Sequence, residues 1–129
     1  MMVTSLTNGI TVSVKAQYLP HHSNPREQRF LFGYHVTIEN GSMFTVQLLR
    51  RHWFITDGMG QVREVEGEGV VGEQPVLAPG EQFEYTSYCD LTTEIGKMSG
   101  HYLMVSQEDE VSFEAEIPEF KMASTSVLN

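Results

Sequence analysis

The fold of this chain is decided by one stretch punctuated by glycine and proline, EGEGVVGEQPVLAPG at residues 66–80. Its first half contains a literal G-x-G-x-x-G, formed by Gly67, Gly69 and Gly72, which is the spacing of a dinucleotide-binding loop. Its second half contains Pro79-Gly80, which is typical of a turn that leads into a β-strand. The choice between these two interpretations determines what the sequence predicts about function.

A dinucleotide-binding loop requires a helix directly after the glycines, because the helix N-terminus holds the pyrophosphate. Pro75 and Pro79 lie where that helix would run, and a proline in a helix interior costs about 3 kcal/mol. The neighbouring acidic side chains would also repel a phosphate; they are Glu64, Glu66, Glu68 and Glu73. We therefore predict an extended, kinked β segment, in which glycine permits positive φ, a bulge or close backbone approach.

Composition excludes several classes of partner. The chain has 129 residues, the size of one domain, and its 8 Lys and Arg against 17 Asp and Glu give a net charge of −9. This charge disfavours binding to nucleic acids and to anionic lipids. The single cysteine, Cys89, excludes an intrachain disulfide and a cysteine-cluster metal site. No segment reaches the roughly 18 apolar residues of a membrane span, and the N-terminus lacks the basic region of a signal peptide, so we expect a cytoplasmic protein without membrane insertion.

Apolar and polar residues alternate along most of the chain, which indicates half-buried β-strands rather than amphipathic helices. The alternation is clear at 10–17, 29–39, 83–90 and 111–117. Residues 45–56 form a further predicted strand, apolar in part on both faces, one of which carries Val46, Leu48, Arg50, His52 and Phe54. We predict an all-β fold, a two-sheet antiparallel β-sandwich of the immunoglobulin or fibronectin type III kind, with about seven or eight strands. The domain is expected to span residues 1–120. Pro118 is expected to end the last strand, and residues 121–129 to form a loose C-terminal tail.

Four motifs in this order resemble the ApaG (CorD) family. They are RHWFITD at 51–57, GEGVVGEQPVLAPG at 67–80, FEYTS at 83–87 and GKMSGHY at 96–102. The resemblance covers residues 3 to 120, with no departure at these positions. It implies a single fibronectin type III-like ApaG domain, linked in bacteria to cobalt tolerance and magnesium efflux without a defined biochemical activity. Similar domains in eukaryotic F-box proteins and in a DNA-polymerase-delta-interacting protein resemble protein-interaction modules.

Arg51 and Trp53 are candidate partner-binding residues, because they share one face of a predicted strand and belong to residue types frequent in binding hot spots. The alternative is that Trp53 is a core residue and Arg51 a hydrogen-bonded neighbour. The glycines Gly67, Gly69 and Gly72 are candidates for a binding loop, with a purely structural role as the alternative. In the family, this glycine motif has been regarded as a pyrophosphate site.

The leading expectation is a non-enzymatic protein-interaction module with an unidentified protein partner, no catalytic residues and no cofactor. Exposed sandwich edges also allow a homodimer by strand pairing. The alternative is a small-ligand protein that binds phosphate, pyrophosphate or a divalent cation. His21-His22 supply two imidazoles, but no third ligand stands at a diagnostic spacing, so no metal site is predicted.

Overall fold

The chain folds into two antiparallel β-sheets packed face to face, in a computed structural model that describes residues 1–124. Two short 3₁₀ turns, Pro20–His22 and Pro25–Glu27, join the second and third strands. In chain order the strands are β1 (Met2–Thr7), β2 (Ile10–Tyr18), β3 (Phe30–Asn40), β4 (Val46–Asp57), β5 (Val62–Glu68), β6 (Val76–Leu77), β7 (Gln82–Leu91), β8 (Ile95–Ser106) and β9 (Ser112–Ala123).

One sheet has the strand order β1-β2-β3-β7, and the other has β5-β4-β8-β9 with β6 paired to the start of β4. This architecture confirms the predicted all-β sandwich. The described residues form nine strands rather than seven or eight, because β1 and the two-residue β6 were not predicted. Asn8 and Gly9, with φ of 49° and 81°, form the β1–β2 turn and provide the positive φ angles that a type I′ hairpin needs. The Asn-Gly pair was therefore an available signal for β1.

The core lies between the sheets and has an aromatic centre. Trp53 is 2% exposed. Its ring packs edge-on against Tyr34, Phe120 and Tyr102, at centroid distances of 5.3, 6.0 and 6.4 Å. Such edge-to-face pairs add to the stabilisation that burial of the rings provides.

A β-bulge at Leu49 reverses the alternation of β4. The strand pairs Leu48 with Met104 and Arg50 with Leu103, so Leu49 is an extra residue without a partner in β8. Strict alternation had predicted that Val46 and Leu48 share a face with Arg50, His52 and Phe54. That prediction was wrong: Val46 and Leu48 are buried together with Trp53 and Ile55, because the extra residue shifts the inward positions by one.

The end of the domain also differs from the prediction. Pro118 lies inside β9, which continues to Ala123, and the side chain of Met122 is buried in the core. Proline is tolerated there because β9 is an edge strand with a register shift between Met98 and Gly100 of β8, so no ladder hydrogen bond from its nitrogen is required. The structured domain thus extends beyond residue 120, and the remainder of the predicted tail, residues 125–129, lies outside the described residues.

The two lateral sides of the sandwich are unlike. On one side β1 packs against β9: Ser5 Oγ donates to the Glu116 carbonyl at 2.5 Å, and the Glu116 amide donates to Thr7 Oγ1 at 3.1 Å. On the other side the edge strands β5 and β7 are separated by a cleft between the sheets. This open side contains the candidate site.

Candidate functional site

The glycine-rich segment is a short hairpin that continues from β5. Val70 and Glu73 exchange backbone hydrogen bonds of 2.8 and 2.9 Å, and Val71 and Gly72 form the tip with φ of 42° and 81°. The next regular element is β6, as expected from the two prolines, and no helix follows the glycines in the described chain. The segment therefore has the extended and kinked form predicted from sequence.

This hairpin is bound to the bulge of β4. The amide of Gly69 and the Nε2 group of Gln74 both donate to the carbonyl of Leu49, at 2.8 and 2.9 Å. The amide of Leu48 donates in turn to the carbonyl of Pro75 at 3.0 Å. The extra residue in β4 thus presents a carbonyl that the ladder does not use, and the hairpin supplies its donors.

The side chain of Arg51 also binds the glycine-rich hairpin. Its Nη1 group donates to the carbonyls of Glu68 and Gly69, at 3.0 and 3.1 Å. A Cβ atom at Gly67 would lie 2.8 Å from the guanidinium, so the arginine can keep this position only beside glycine. At Gly69, φ is +64° and a Cβ would overlap the carbonyl oxygen of Glu73. Two glycines of the motif therefore have clear packing roles, whereas Gly72 faces open space and supplies only its positive φ.

A cleft of about 500 Å³ opens beside this hairpin, between β5 and β7. Arg51 of β4 and Arg63 of β5 both line it. Arg63 Nη2 donates to the carbonyl of Asp90 at 2.6 Å and lies 3.4 Å from the carboxylate of the same residue. The other lining side chains are Tyr34, Trp53, Ile55, Val65, Val70, Val71, Tyr85, Ser87, Tyr88, Cys89, Asp90 and Met98.

The hydroxyl groups near the cleft are un-ionised donors. Burial raises the pKa of the phenols of Tyr34 and Tyr85, and the Arg51 guanidinium opposes this shift only weakly. The Tyr85 and Tyr102 hydroxyls are hydrogen-bonded to each other, and burial places the pKa of Tyr102 well above its usual value. Burial likewise raises the pKa of the Cys89 thiol, so this cysteine is a small core side chain rather than an activated nucleophile.

The structure brings the predicted site residues to one region. Arg51, Trp53 and Gly72 line the cleft, while Gly67 and Gly69 shape the segment that Arg51 holds. Trp53 is buried and Arg51 is held by main-chain carbonyls, which matches the alternative of a core tryptophan with a hydrogen-bonded arginine neighbour. Within the cleft, Trp53 forms part of the wall. Sequence reasoning missed Arg63 and Ser87, because β5 and β7 meet only across the sandwich and no local pattern joins them.

The second surface feature is the edge strand β5. It pairs with β4 along one edge only, and every residue except Gly67 is exposed. Glu64 and Glu66 lie on its outer face, where their carboxylates contact Nε2 and Nδ1 of His52 at 2.8 and 2.9 Å. This edge therefore presents unpaired backbone groups beside two carboxylates.

The histidines do not assemble a metal centre. His21 and His22 are exposed in a 3₁₀ turn, and His52 contacts the two glutamates of β5. Within residues 1–124, no group of three His, Cys, Asp or Glu side chains is placed to hold a metal ion. A search of the same residues for a helix long and apolar enough to cross a membrane finds none.

These features define a class: a small fibronectin type III-like sandwich with an open inter-sheet cleft and an unpaired acidic edge strand. The family model of the ApaG domain (DUF525) matches residues 20–106, and the chain belongs to this family. Protein ApaG of Afipia carboxidovorans is 49% identical over 126 residues, which cover 98% of this chain and 96% of that protein. Protein ApaG of Rhodospirillum centenum is 52% identical over 123 residues, covering 95% and 94%. The crystal structure of the ApaA protein from Bordetella pertussis is similar with a TM-score of 0.87 at 50% identity, covering 90% of this chain and 94% of that one.

Proposed function

We propose that the chain is a non-enzymatic protein-interaction module that binds an extended segment of a partner protein along β5. The observation that supports this proposal is the state of that edge. β5 is unpaired on one side, pairs with β4 without a register shift, and contains neither proline nor lysine. Proline, lysine and bulges hinder strand addition, and β5 has none of them, so its backbone can template an additional strand. The edge is nevertheless charged, through Arg63 and three glutamates, so an added strand must carry complementary charge.

The charge of β5 indicates the chemistry of the partner. Glu64 and Glu66 are two residues apart, so they share the outer face, and their side chains are 59% and 61% exposed. Arg63 and Val65 alternate with them and line the cleft. A complementary strand places basic side chains opposite the glutamates and apolar side chains toward the cleft, so the partner segment alternates lysine or arginine with apolar residues.

The same charges disfavour a homodimer through β5. In an antiparallel pair of two β5 strands centred on Val65, Glu64 of one copy would lie directly opposite Glu66 of the other. Like charges in directly opposite positions destabilise a strand pair. Of the two partner types predicted for the sandwich edges, a basic segment of a different protein suits this edge better than a second copy.

The cellular context of this proposal follows from the family resemblance, which links the domain to cobalt tolerance and magnesium efflux in the bacterial cytoplasm. We infer that the link operates through the bound partner, since control of a cation transporter changes metal tolerance without metal binding by this chain. The absence of a three-ligand group among the described residues supports this route over direct cation binding. The hairpin likewise has few free hydrogen-bond donors for a phosphate, because the amides of Gly69, Val70 and Glu73 already donate to backbone carbonyls.

Fluorescence anisotropy measures the binding of two labelled peptides to the protein. One peptide alternates lysine and valine, and the other alternates glutamate and valine. We expect the basic peptide to bind and the acidic peptide not to bind. Replacing both glutamates, Glu64→Lys with Glu66→Lys, is expected to weaken binding about tenfold, because two exposed attractions of up to about 1 kcal/mol each become repulsions.

The matched control is Glu114→Lys with Glu116→Lys on β9, at the opposite edge of the same sheet. Glu114 also contacts a histidine, His101, at 2.9 Å, and the change in net charge is identical. A smaller loss in the control than in the β5 variant assigns binding to β5. Equal losses in both variants, or no binding of the basic peptide, would overturn the proposal.

A further inference from the structure

We propose that the cleft between β5 and β7 binds a small organic carboxylate with a planar or branched apolar body. This site is separate from the outer face of β5, and its occupation does not require the peptide interaction proposed above. Three features of the cleft support the assignment: its charge, its hydroxyl groups and its apolar walls.

The cleft is lined by positive side chains, although the whole molecule is negatively charged. In a chain with a net charge of −9 and only 8 Lys and Arg, two arginines line this one cavity. Arg51 is held by two main-chain carbonyls, and among the described residues it forms no ion pair with a carboxylate. Arg63 is held mainly by the Asp90 carbonyl, with the Asp90 carboxylate at a longer 3.4 Å. Arg51 is thus positioned by neutral acceptors alone, so its charge is available to an anion. The charge of Arg63 is compensated in part by the Asp90 carboxylate.

Hydroxyl groups converge on the same space. Tyr34, Tyr85 and Ser87 line the cleft; the Tyr34 hydroxyl is paired with Ser87, and the Tyr85 hydroxyl with that of Tyr102. Both phenols are protonated at neutral pH, since their ordinary pKa of about 10 is raised further by burial. A guanidinium combined with neutral O–H donors is an arrangement that stabilises an oxyanion. No carboxylate other than that of Asp90 lines the cleft within the described chain.

The walls and volume distinguish an organic acid from an inorganic anion. Trp53, Ile55, Val70 and Met98 contribute apolar surface. The volume of about 500 Å³ lies within the range of small-molecule sites, and inorganic phosphate would leave most of those walls uncovered. A carboxylate with an aromatic or branched body matches both the polar and the apolar parts of this lining.

The rim of the cleft has a further sign of a binding site. Val71 lines it with φ of 42° and is 56% exposed. A β-branched residue in the left-handed region is strained, and such strain concentrates at ligand-binding positions. The exposed isopropyl group is placed to cover the apolar part of a bound acid.

The test uses phenylacetate as the probe and the fluorescence of Trp53, the one tryptophan of the chain, as the signal. We expect a saturable change with phenylacetate, binding about tenfold tighter than its neutral analogue 2-phenylethanol, and no saturable change with inorganic phosphate. Arg63→Gln is expected to weaken phenylacetate binding about tenfold. The control Arg26→Gln removes an exposed arginine of a 3₁₀ turn outside the cleft and is expected to leave binding unchanged.

Arg63 is chosen over Arg51 because Arg51 also holds the glycine-rich hairpin, and its replacement would disturb that segment. Equal affinities for phenylacetate and 2-phenylethanol would overturn the inference, as would equal effects of the two arginine variants. The absence of a saturable signal with phenylacetate, or tighter binding of inorganic phosphate, would also overturn it. None of these outcomes depends on binding of the lysine–valine peptide, so the two proposals fail separately.

Discussion

The guanidinium of Arg51 occupies the space that a side chain at Gly67 would need. Its two terminal nitrogens lie 2.8 Å from the position of a Cβ atom on Gly67, and one of them donates to two carbonyls of the following residues. The glycine of the strand and the arginine of the neighbouring strand are therefore one structural unit. This unit anchors the glycine-rich hairpin that borders the cleft.

Alanine substitutions should separate the roles of the three glycines. Gly69→Ala should destabilise the fold most, because it combines positive φ with an overlap on a backbone carbonyl. Gly72→Ala should cost about 1 kcal/mol, since only the backbone conformation is strained there. Gly67→Ala should cost least, because the end of the Arg51 side chain can move aside. Urea denaturation measures this order, and equal losses for all three would contradict the packing roles assigned here.

Relief of strain at Val71 should stabilise the protein. Val71→Asn is expected to raise the free energy of unfolding by about 1 kcal/mol, because asparagine tolerates the left-handed conformation that valine resists. Val111→Asn is the matched control, since Val111 is equally exposed at 55% and does not have a positive φ. Urea denaturation of both variants gives the comparison. A Val71→Asn variant no more stable than the Val111→Asn variant would show that Val71 is not strained.

Stability should fall at alkaline pH because of the buried phenols. The pKa values of Tyr34, Tyr85 and Tyr102 are all raised above the ordinary value of 10.0. Their stabilising contribution is complete below pH 10 and is lost above it, since the unfolded chain then releases protons that the folded chain retains. Each phenol contributes up to about 1.4 kcal/mol per pH unit to this loss.

Urea denaturation between pH 9 and about pH 11.5 measures that slope. Tyr85→Phe should make it shallower by the contribution of one phenol. A slope that is the same in the wild-type protein and in the Tyr85→Phe variant would mean that the folded-state pKa of Tyr85 is not raised.

Nucleotides should not bind to the glycine-rich segment. We expect no affinity for ATP, GTP or NAD tighter than about millimolar, because the segment lacks a following helix and the amides of Gly69, Val70 and Glu73 already donate to backbone carbonyls. Isothermal titration calorimetry near physiological salt checks this. Micromolar binding that disappears in a Gly72→Glu variant would show that the hairpin rearranges to hold phosphate.

Much of the fold could be predicted because alternation and turn chemistry are local. Pro75 and Pro79 ruled out a helix after the glycines, and the structure has strands there. The predictions failed where the structure of one strand depends on its pairing with a neighbouring strand. The bulge at Leu49 is invisible in β4 alone, since it exists only relative to β8, and Pro118 is compatible with β9 because that strand is at an edge.

The sequence by itself determined the sandwich class, the family and the extended form of the glycine-rich segment. Those conclusions rest on residue types at short spacings, which constrain φ, ψ and burial directly. Tertiary structure alone decided that Trp53 is a cleft wall, and that Arg63 joins Arg51 at one cavity. It also decided that β5 is the unpaired edge. The physical reason is that strand order and inter-sheet packing join residues far apart in the chain, and no local preference encodes which strands become neighbours.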